Sequence, residues 1–258
     1  MILPSDDVGS GPCVVLLHAG VSDRRMWDEH LAPVSAGGYR VVAMDLPGFG
    51  EAPLPQLLEP WCDVLATMEA LGVESAVLVG NSFGGAVALS AAVVSPERVT
   101  ALVLVSAPPP HLEPSAQLRD AWEAESAAFA RGDIDAAVEA VVDAWTLADA
   151  PVTLRERVAT AQRRALELAA AAGEIDEASD PLEADPDALG RLTCPALVIA
   201  GGLEMTDFQH GAEFLARELA NARHAVIAEA GHLAPLEQPE RFRELLLGFL
   251  AEVAPPTS

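Results

Sequence analysis

The residues best suited to chemistry surround one serine. Ser82 lies in a G-x-S-x-G pattern, Gly80-Asn81-Ser82-Phe83-Gly84, after an apolar run and before a helical pattern. A serine on such a tight strand-to-helix turn holds its hydroxyl clear of the sheet, and the helix N-terminus stabilises negative charge beside it. The glycines let strand and helix approach closely, as they also do in glycine-rich turns without catalytic function. The spacing predicts that Ser82 is a nucleophile.

A serine hydroxyl attacks only when a base accepts its proton, and His232 is the predicted base. It follows the last apolar run, 225–228, so its loop leaves a parallel sheet at the same edge as the serine turn. The remaining histidines are predicted to be structural (His18 and His224), exposed on helices (His30 and His210) or at the start of a lid, where one could face the pocket (His111).

The acid that orients the histidine is expected after the strand 196–200, in the chain order serine, acid, histidine. That loop carries Glu204 and Asp207. A carboxylate there fixes the imidazole tautomer and stabilises the imidazolium, and its loss costs roughly 10⁴-fold in rate. Glu204 is the first carboxylate after the strand and is favoured. Asp207 precedes Phe208 and suits the N-cap of the next helix, but it stays the alternative.

Acyl chemistry also needs two backbone N–H donors aimed at the developing oxyanion. Phe83, the residue after the nucleophile, is predicted to supply one. Gly20, in the loop after the first strand, is predicted to supply the other because it has no side chain to block the approach. His18, in the same loop, is predicted to shape that loop and not to act as a base.

Short runs of Val, Leu and Ile alternate with helical patterns, which is typical of a parallel sheet covered by helices on both faces. The predicted strands are 13–18, 40–44, 76–79, 99–105, 196–200 and 225–228. The predicted helices between them are 57–71, 84–94, 208–219 and 240–253.

Residues 108–193 interrupt this alternation with consecutive helical patterns. Asp133 can cap one of these helices, and Pro151 suits the first turn of another. The acidic, proline-containing run 174–187 is predicted to be a loop. The sequence therefore predicts one α/β core, 1–107 and 194–258, with a helical lid, 108–193, inserted after the fourth predicted strand.

Composition limits the classes of function. The 258 residues, 51% hydrophobic, suffice for one full core. The net charge of −24, with 15 basic residues that are all arginine, disfavours nucleic-acid and membrane-surface partners, so a small-molecule substrate is expected. No apolar run approaches the roughly 20 residues of a membrane span, and the N-terminus lacks signal-peptide features, so a cytoplasmic protein is expected.

Neither a metal site nor a disulfide is expected. The three cysteines, Cys13, Cys62 and Cys194, have no paired spacing and are predicted to be reduced. No cluster of histidine, cysteine and carboxylate residues has metal-ligand spacing, and no phosphate loop or dinucleotide fingerprint occurs. No metal or other cofactor is predicted. The oligomeric state is not readable from the sequence.

Together these pieces resemble the α/β-hydrolase superfamily over nearly the whole chain. The turn that carries Ser82 is similar to the corresponding turn of small esterases, enol-lactonases and carbon–carbon hydrolases of aromatic ring-fission products, which need no cofactor. The matching segments are 18–20, 45–50, 80–85, 95–99, 231–232 and 237–240. Three features depart from the family pattern: Glu204 where Asp is usual, His18-Ala19 where His-Gly is usual, and only twelve residues before the first predicted strand, which implies a shortened or absent leading hairpin.

The leading functional hypothesis is hydrolysis of an ester or lactone of a small, largely apolar substrate through an acyl-enzyme. Carbon–carbon bond hydrolysis is the second, and it needs an anion anchor such as Arg163 or Arg164. Perhydrolysis or haloperoxidation would use the same triad. Outside these reactions, the same fold suits a binding protein of low turnover, or a cyclase.

Overall fold

The apolar runs form one central sheet in the structure, a computed structural model that describes residues 1–111, 113–185 and 187–256. The strands in these ranges are β1 (Ser5–Gly9), β2 (Cys13–Leu17), β3 (Arg40–Met44), β4 (Leu57–Leu58), β5 (Ala76–Asn81), β6 (Val99–Val105), β7 (Asp176–Glu177), β8 (Ala196–Gly201) and β9 (Ala222–Ile227). Seven of them share the central sheet, in the order β1-β3-β2-β5-β6-β8-β9, and the other two, β4 and β7, pair separately.

Neighbouring strands of the main sheet run parallel, except that β1 is antiparallel to β3. The register pairs Leu17 at the end of β2 with Gly80 near the end of β5, and Gly201 at the end of β8 with Ile227 at the end of β9. Four loops therefore leave the sheet at one edge, the edge where α/β folds place their sites.

Helices cover both faces of this sheet. They are α1 (Asp28–Ala36), α2 (Pro60–Ala70), α3 (Phe83–Val94), α4 (Ala116–Ala130), α5 (Ile134–Trp145), α6 (Val152–Ala172), α7 (Pro181–Ala184), α8 (Ala188–Arg191), α9 (Thr206–Glu218), α10 (Ala234–Glu237) and α11 (Pro239–Val253). Across the described residues, no helix combines the length and apolar content needed to cross a bilayer.

The core lies on both faces of the sheet because the central strands carry apolar residues on both faces. Along β2, Val14 and Leu16 join the cluster that includes residues of α1 and α11, whereas Val15 and Leu17 join the cluster on the side of α2 and α3. We call α4, α5 and α6, residues 116–172, the helical segment. Its apolar residues extend the first of these clusters over the carboxyl ends of the strands.

The two edge strands differ from the prediction. β9 begins at Ala222, earlier than the predicted residue 225, and His224 lies within it. β1 was not predicted, and it takes the place of the leading hairpin as a single strand. Both strands lie at edges of the sheet and expose many of their side chains, so they lack the continuous apolar runs that mark the central strands.

The predicted loop 174–187 and the predicted start of the helix 57–71 are also wrong. β7, Asp176–Glu177, pairs in parallel with β4, Leu57–Leu58, and α2 begins only at Pro60. Asp180 then caps the short helix α7 by accepting a hydrogen bond from the Leu182 N–H at 2.8 Å. Two-residue strands and one-turn helices are too short to give a periodic sequence pattern.

His30 is buried, contrary to the prediction that it is exposed. Its Nε2 lies 2.9 Å from the carbonyl oxygen of Pro235, to which it donates, and its ring packs edge-on against Phe242 at 5.0 Å between centroids. Burial lowers the pKa of His30 from its ordinary value of 6.5 to about 4. The imidazole is therefore a neutral part of the contact between α1 and the C-terminal helices.

The buried His30 makes stability depend on pH. In the unfolded chain the ring takes up a proton near pH 6.5, but in the folded protein only near pH 4, so stability falls as pH drops through this window. The full effect is about 3 kcal/mol. In His30→Phe, we expect the free energy of unfolding to vary less between pH 6.5 and 4, measured by denaturant titration. His224→Gln, at an exposed position, is the control. Equal pH dependence in His30→Phe and wild type would contradict this account.

Two glycines in open space allow a second test, since an added Cβ at Gly248 or Gly72 meets no atom within 4 Å. Gly248 lies inside α11, where alanine is favoured, so Gly248→Ala is expected to stabilise the protein by about 1 kcal/mol. Gly72 has a φ of +68°, and Gly72→Ala is expected to destabilise it by about 1 kcal/mol. Thermal unfolding measures the stability of both variants. If the two melting temperatures shifted in the same direction, the helical conformation of Gly248 or the positive φ of Gly72 would be wrong.

Candidate active site

Ser82 occupies a strained turn between β5 and α3. Its φ of 52° and ψ of −117° lie in a region that residues with a side chain rarely adopt. The turn is held from both sides: the Ser82 N–H donates to the Val105 carbonyl at 2.8 Å, and the Ser82 carbonyl accepts from the Gly85 and Ala86 N–H groups at 2.8 and 3.1 Å. The structure thus places the predicted nucleophile at the carboxyl edge of the sheet.

Close backbone contacts explain the two glycines of the pattern. A Cβ at Gly80 would lie 2.2 Å from the Gly84 carbonyl oxygen, and a Cβ at Gly84 would lie 2.3 Å from the Leu17 carbonyl oxygen. Such distances cannot be accommodated without moving the backbone. The N-terminus of α3 can therefore lie directly against the ends of β2 and β5 only because both positions lack side chains.

Glu204 and His232 form a buried pair. His232 Nδ1 lies 3.1 Å from Glu204 Oε2, and the two residues are only 6% and 9% exposed. The other carboxylate oxygen, Oε1, accepts a hydrogen bond from the Gly201 N–H at 2.6 Å. A carboxylate that accepts from Nδ1–H leaves Nε2 free to accept a proton from elsewhere. The longer glutamate side chain thus reaches the imidazole from the position where aspartate is usual in similar sequences.

Asp207, the alternative acid, is bound elsewhere. Its two carboxylate oxygens accept hydrogen bonds from the Ser115 N–H at 2.7 Å and the Ser115 hydroxyl at 2.8 Å. Burial acts to raise the pKa of Asp207, but the hydrogen bonds from Ser115 outweigh it and hold the pKa below its ordinary value. Asp207 is not the N-cap of α9, since the helix begins at Thr206. The carboxylate instead anchors the start of α4.

The His232 ring is enclosed by two aromatic side chains. The ring centroids of Phe208 and Trp145 lie 4.3 and 4.6 Å from that of the imidazole, and Trp145 comes from the helical segment. The main chain of His232 is also tied to the serine turn, because Asn81 Nδ2 donates to both the His232 and the Val105 carbonyl oxygens at 3.1 Å. The loop carrying the histidine and the turn carrying the serine are therefore fixed to each other.

Of the two predicted oxyanion donors, Phe83 is the first residue of α3 and Gly20 lies in the loop after β2 that adjoins it. A Cβ on Gly20 would lie 3.4 Å from Phe83 Cβ, which is ordinary contact. His18 shapes the Gly20 loop: its Nδ1 donates to the Ala19 carbonyl at 2.8 Å, and its Nε2 accepts from the Leu46 N–H at 2.9 Å. Burial lowers the pKa of His18, so the ring is neutral and both nitrogens are engaged.

A cavity of about 510 Å³ brings these groups together. Its lining includes four of the five predicted site residues, Gly20, Ser82, Phe83 and His232, and the rest comes largely from the helical segment and the loops beside it. Trp122, Trp145 and His111 also line it, so both tryptophans have a pocket-facing surface in addition to any packing role. Among the described residues, no group of three or more metal-ligating side chains is placed to hold an ion.

The proposed anion anchors do not reach this cavity. Arg163 is paired with Asp135 on an exposed surface, and the Arg164 Nε donates to the Gly50 carbonyl at 3.3 Å, also on the surface. Neither residue lines the cavity. Both arginines therefore lie on a solvated face of α6 and do not serve as the anion anchor.

Sequence reasoning missed a hydrogen-bonded polar pair in the cavity, Glu125 and Gln162. Gln162 Nε2 donates to Glu125 Oε1 at 2.7 Å, and Gln162 is only 5% exposed. The available signal was the position of Gln162 within the apolar stripe of α6, between Val158 and Ala165. A polar residue in such a stripe needs a partner, which the sequence alone does not identify.

Comparison with known proteins identifies the family of the chain. A sequence model of the alpha/beta hydrolase family matches residues 14–245. The chain belongs to this family. A pimeloyl-[acyl-carrier protein] methyl ester esterase of Aeromonas hydrophila subsp. hydrophila is 30% identical to this α/β hydrolase, over 94% of this chain and 96% of its own. A 2-hydroxy-6-oxo-6-(2'-aminophenyl)hexa-2,4-dienoic acid hydrolase of Metapseudomonas resinovorans is 29% identical, over 96% of this chain and 87% of its own.

The fold is also similar to solved structures. That of a thermophilic esterase from Thermogutta terrifontis superposes with a TM-score of 0.78 at 25% identity, covering 98% of this chain and 94% of the other. The relatives named here are hydrolases of different kinds. They have hydrolysis in common, but they differ in the bond that they cleave.

The close contact at the serine turn can be tested by adding one methyl group. Gly84→Ala places a Cβ against the backbone of β2, so we expect a loss of about 3 kcal/mol in the free energy of unfolding, or failure to fold. Gly20→Ala adds the same group in ordinary contact with Phe83 and is expected to keep the wild-type melting temperature within a few degrees. Thermal unfolding distinguishes the two, and a stable Gly84→Ala protein would show that the contact is not as tight as described.

Proposed function

We propose that this α/β hydrolase is a serine hydrolase that cleaves a carboxylic ester or lactone of a small, largely apolar substrate. One observation carries the proposal: Ser82 on its strained turn and His232, hydrogen-bonded to Glu204, line the same cavity. A nucleophile, a base and an orienting acid at one strand edge are the parts that acyl transfer needs.

In the proposed reaction, His232 Nε2 accepts the Ser82 hydroxyl proton while the serine oxygen attacks the substrate carbonyl. The Phe83 and Gly20 N–H groups stabilise the oxyanion of the tetrahedral intermediate. Glu204 stabilises the imidazolium, which then gives its proton to the leaving alcohol as the acyl-enzyme forms. A water molecule deprotonated by His232 hydrolyses the acyl-enzyme, and the acid leaves as Ser82 regains its proton. No cofactor takes part in this sequence.

The enclosure of His232 supports its assignment as the base. Trp145 and Phe208 limit its ring to one orientation, and Glu204 fixes the nitrogen that carries the proton. Within the described ranges, no hydrogen bond joins the Ser82 hydroxyl to His232. In hydrolases without substrate, catalytic hydrogen bonds are often long and shorten only when the substrate binds.

Ester cleavage fits the cavity better than carbon–carbon cleavage of a ring-fission acid. The second hypothesis needs a cation to bind the substrate carboxylate, and the described lining contains no arginine, while the sequence contains no lysine.

We further propose that residues 108–193 serve as the lid, because Trp122, Trp145 and Gln162 reach the cavity from this segment. The lid would then define the shape of the substrate.

The proposed nucleophile can be tested by labelling with a fluorophosphonate and by hydrolysis of short-chain p-nitrophenyl esters. We expect Ser82→Ala to lose both the label and turnover, with kcat/KM reduced roughly 10⁴-fold or more. Peptide mapping by mass spectrometry locates the label. Labelling of the folded Ser82→Ala protein at wild-type rate would exclude Ser82 as the nucleophile.

The proposed acid is tested with a matched pair of variants. Glu204→Gln keeps the size of the side chain but removes the charge, and we expect a loss of roughly 10³- to 10⁴-fold in kcat for the same esters. Asp207→Asn is the control, with a loss of less than about threefold, because Asp207 contacts Ser115 and not His232. The reverse pattern would assign the acid to Asp207.

A further inference from the structure

The Glu125–Gln162 pair is an unusual polar feature in a largely apolar cavity. Gln162 is only 5% exposed, and its amide oxygen Oε1 has no hydrogen-bond partner among the described residues. The amide nitrogen is engaged by Glu125 Oε1 at 2.7 Å, so the amide orientation is fixed. A buried carbonyl oxygen without a partner costs free energy unless a ligand supplies a hydrogen-bond donor.

The other carboxylates of the lining add negative charge to this largely apolar cavity. Asp180 and Glu183 line the same cavity as Glu125, whereas the basic side chains in the described lining are limited to the histidines His111 and His232. Burial raises the pKa of Glu125, and the hydrogen bond from Gln162 opposes this shift. A cation beside a half-buried carboxylate removes much of the cost of keeping that carboxylate charged.

An aromatic face lies next to these acceptors. Trp122 and Glu125 are three residues apart on α4, so they occupy the same face of the helix, and both line the cavity. Trp122 is 42% exposed, which leaves part of its indole free for a ligand. Cations bind favourably over indole faces.

We propose that the Glu125–Gln162 pair is the specificity subsite of the cavity and that it binds an ammonium group on the substrate. This inference rests on the proposed ester hydrolysis and names its substrate class: esters or lactones that carry a protonated amine on the side of the molecule directed at α4 and α6. The ammonium donates to Gln162 Oε1 and to the Glu125 carboxylate, with Trp122 beside it. A carboxylate at that position is repelled by Glu125, Asp180 and Glu183.

The test compares three ethyl esters of equal chain length at pH 7: ethyl 6-aminohexanoate, ethyl heptanoate and monoethyl heptanedioate. They end in an ammonium, a methyl and a carboxylate group. We expect kcat/KM for the amino ester to exceed that for the neutral ester by about tenfold or more, since a charge-assisted hydrogen bond supplies at least this factor. The carboxylate ester is expected to be the slowest. Equal rates for the amino and neutral esters, or a faster carboxylate ester, would overturn the inference.

Variants of the pair assign the preference to these two residues. Glu125→Gln and Gln162→Leu are each expected to reduce the ratio of amino to neutral ester kcat/KM by about tenfold. Glu123→Gln is the matched control, because Glu123 is exposed on the same helix and is outside the cavity lining. A ratio that stays at the wild-type value in both pair variants, or that falls equally in Glu123→Gln, would refute the assignment.

A binding measurement separates this inference from the proposed function. Calorimetric titration of the Ser82→Ala protein with hexylammonium and with hexan-1-ol needs no turnover. We expect hexylammonium to bind about tenfold more tightly than the alcohol and to lose this advantage when Gln162→Leu is added. If no ester is hydrolysed but hexylammonium binds in this way, the proposed hydrolysis fails while the ammonium subsite stands. If esters are hydrolysed and hexylammonium has no advantage, the subsite fails alone.

Discussion

The geometry of the site depends on the distance between α3 and the strands β2 and β5. Glycine at positions 80 and 84 allows backbone atoms to approach to where a Cβ would lie only 2.2 to 2.3 Å from a carbonyl oxygen. This approach directs Ser82 into its strained conformation, which persists because the hydrogen bond to the Val105 carbonyl holds it against the central strand β6. A turn of this kind at the sheet edge would relax without the buried strands on either side.

The remaining parts of the site are attached to this turn through backbone atoms. Asn81 joins the His232 carbonyl to that of Val105, and Glu204 is held by the Gly201 N–H at the end of β8. The Glu204 side chain is thus fixed by the main chain of β8, and the His232 main chain is fixed by the side chain of Asn81 at the end of β5, so both residues are held to the sheet at the base of the site. The part of the cavity wall that includes Trp145 comes from the helical segment and not from the sheet.

Much of this arrangement could be predicted from local patterns. The central strands β3 and β6 have the bounds expected from their apolar runs, since burial on both faces leaves a continuous signal. The family, the sheet and the positions of Ser82 and His232 at one edge follow from the same pattern. The edge strand β1, the first residues of β9, the buried His30 and the Glu125–Gln162 pair could not be predicted, because each depends on tertiary partners: a neighbouring strand, the Pro235 carbonyl or a second helix.

The charge of the cavity has a consequence for the end of the reaction cycle. In the proposed ester hydrolysis, a carboxylate forms where there was none, in a space bordered by Glu125, Asp180 and Glu183 with no arginine in its described lining. Like charges in a partly desolvated space repel strongly. In the proposed reaction, the chemical step therefore weakens the affinity of the cavity for the part of the product that carries the new carboxylate, and these three acidic side chains favour release of the acid although they do not cleave the bond.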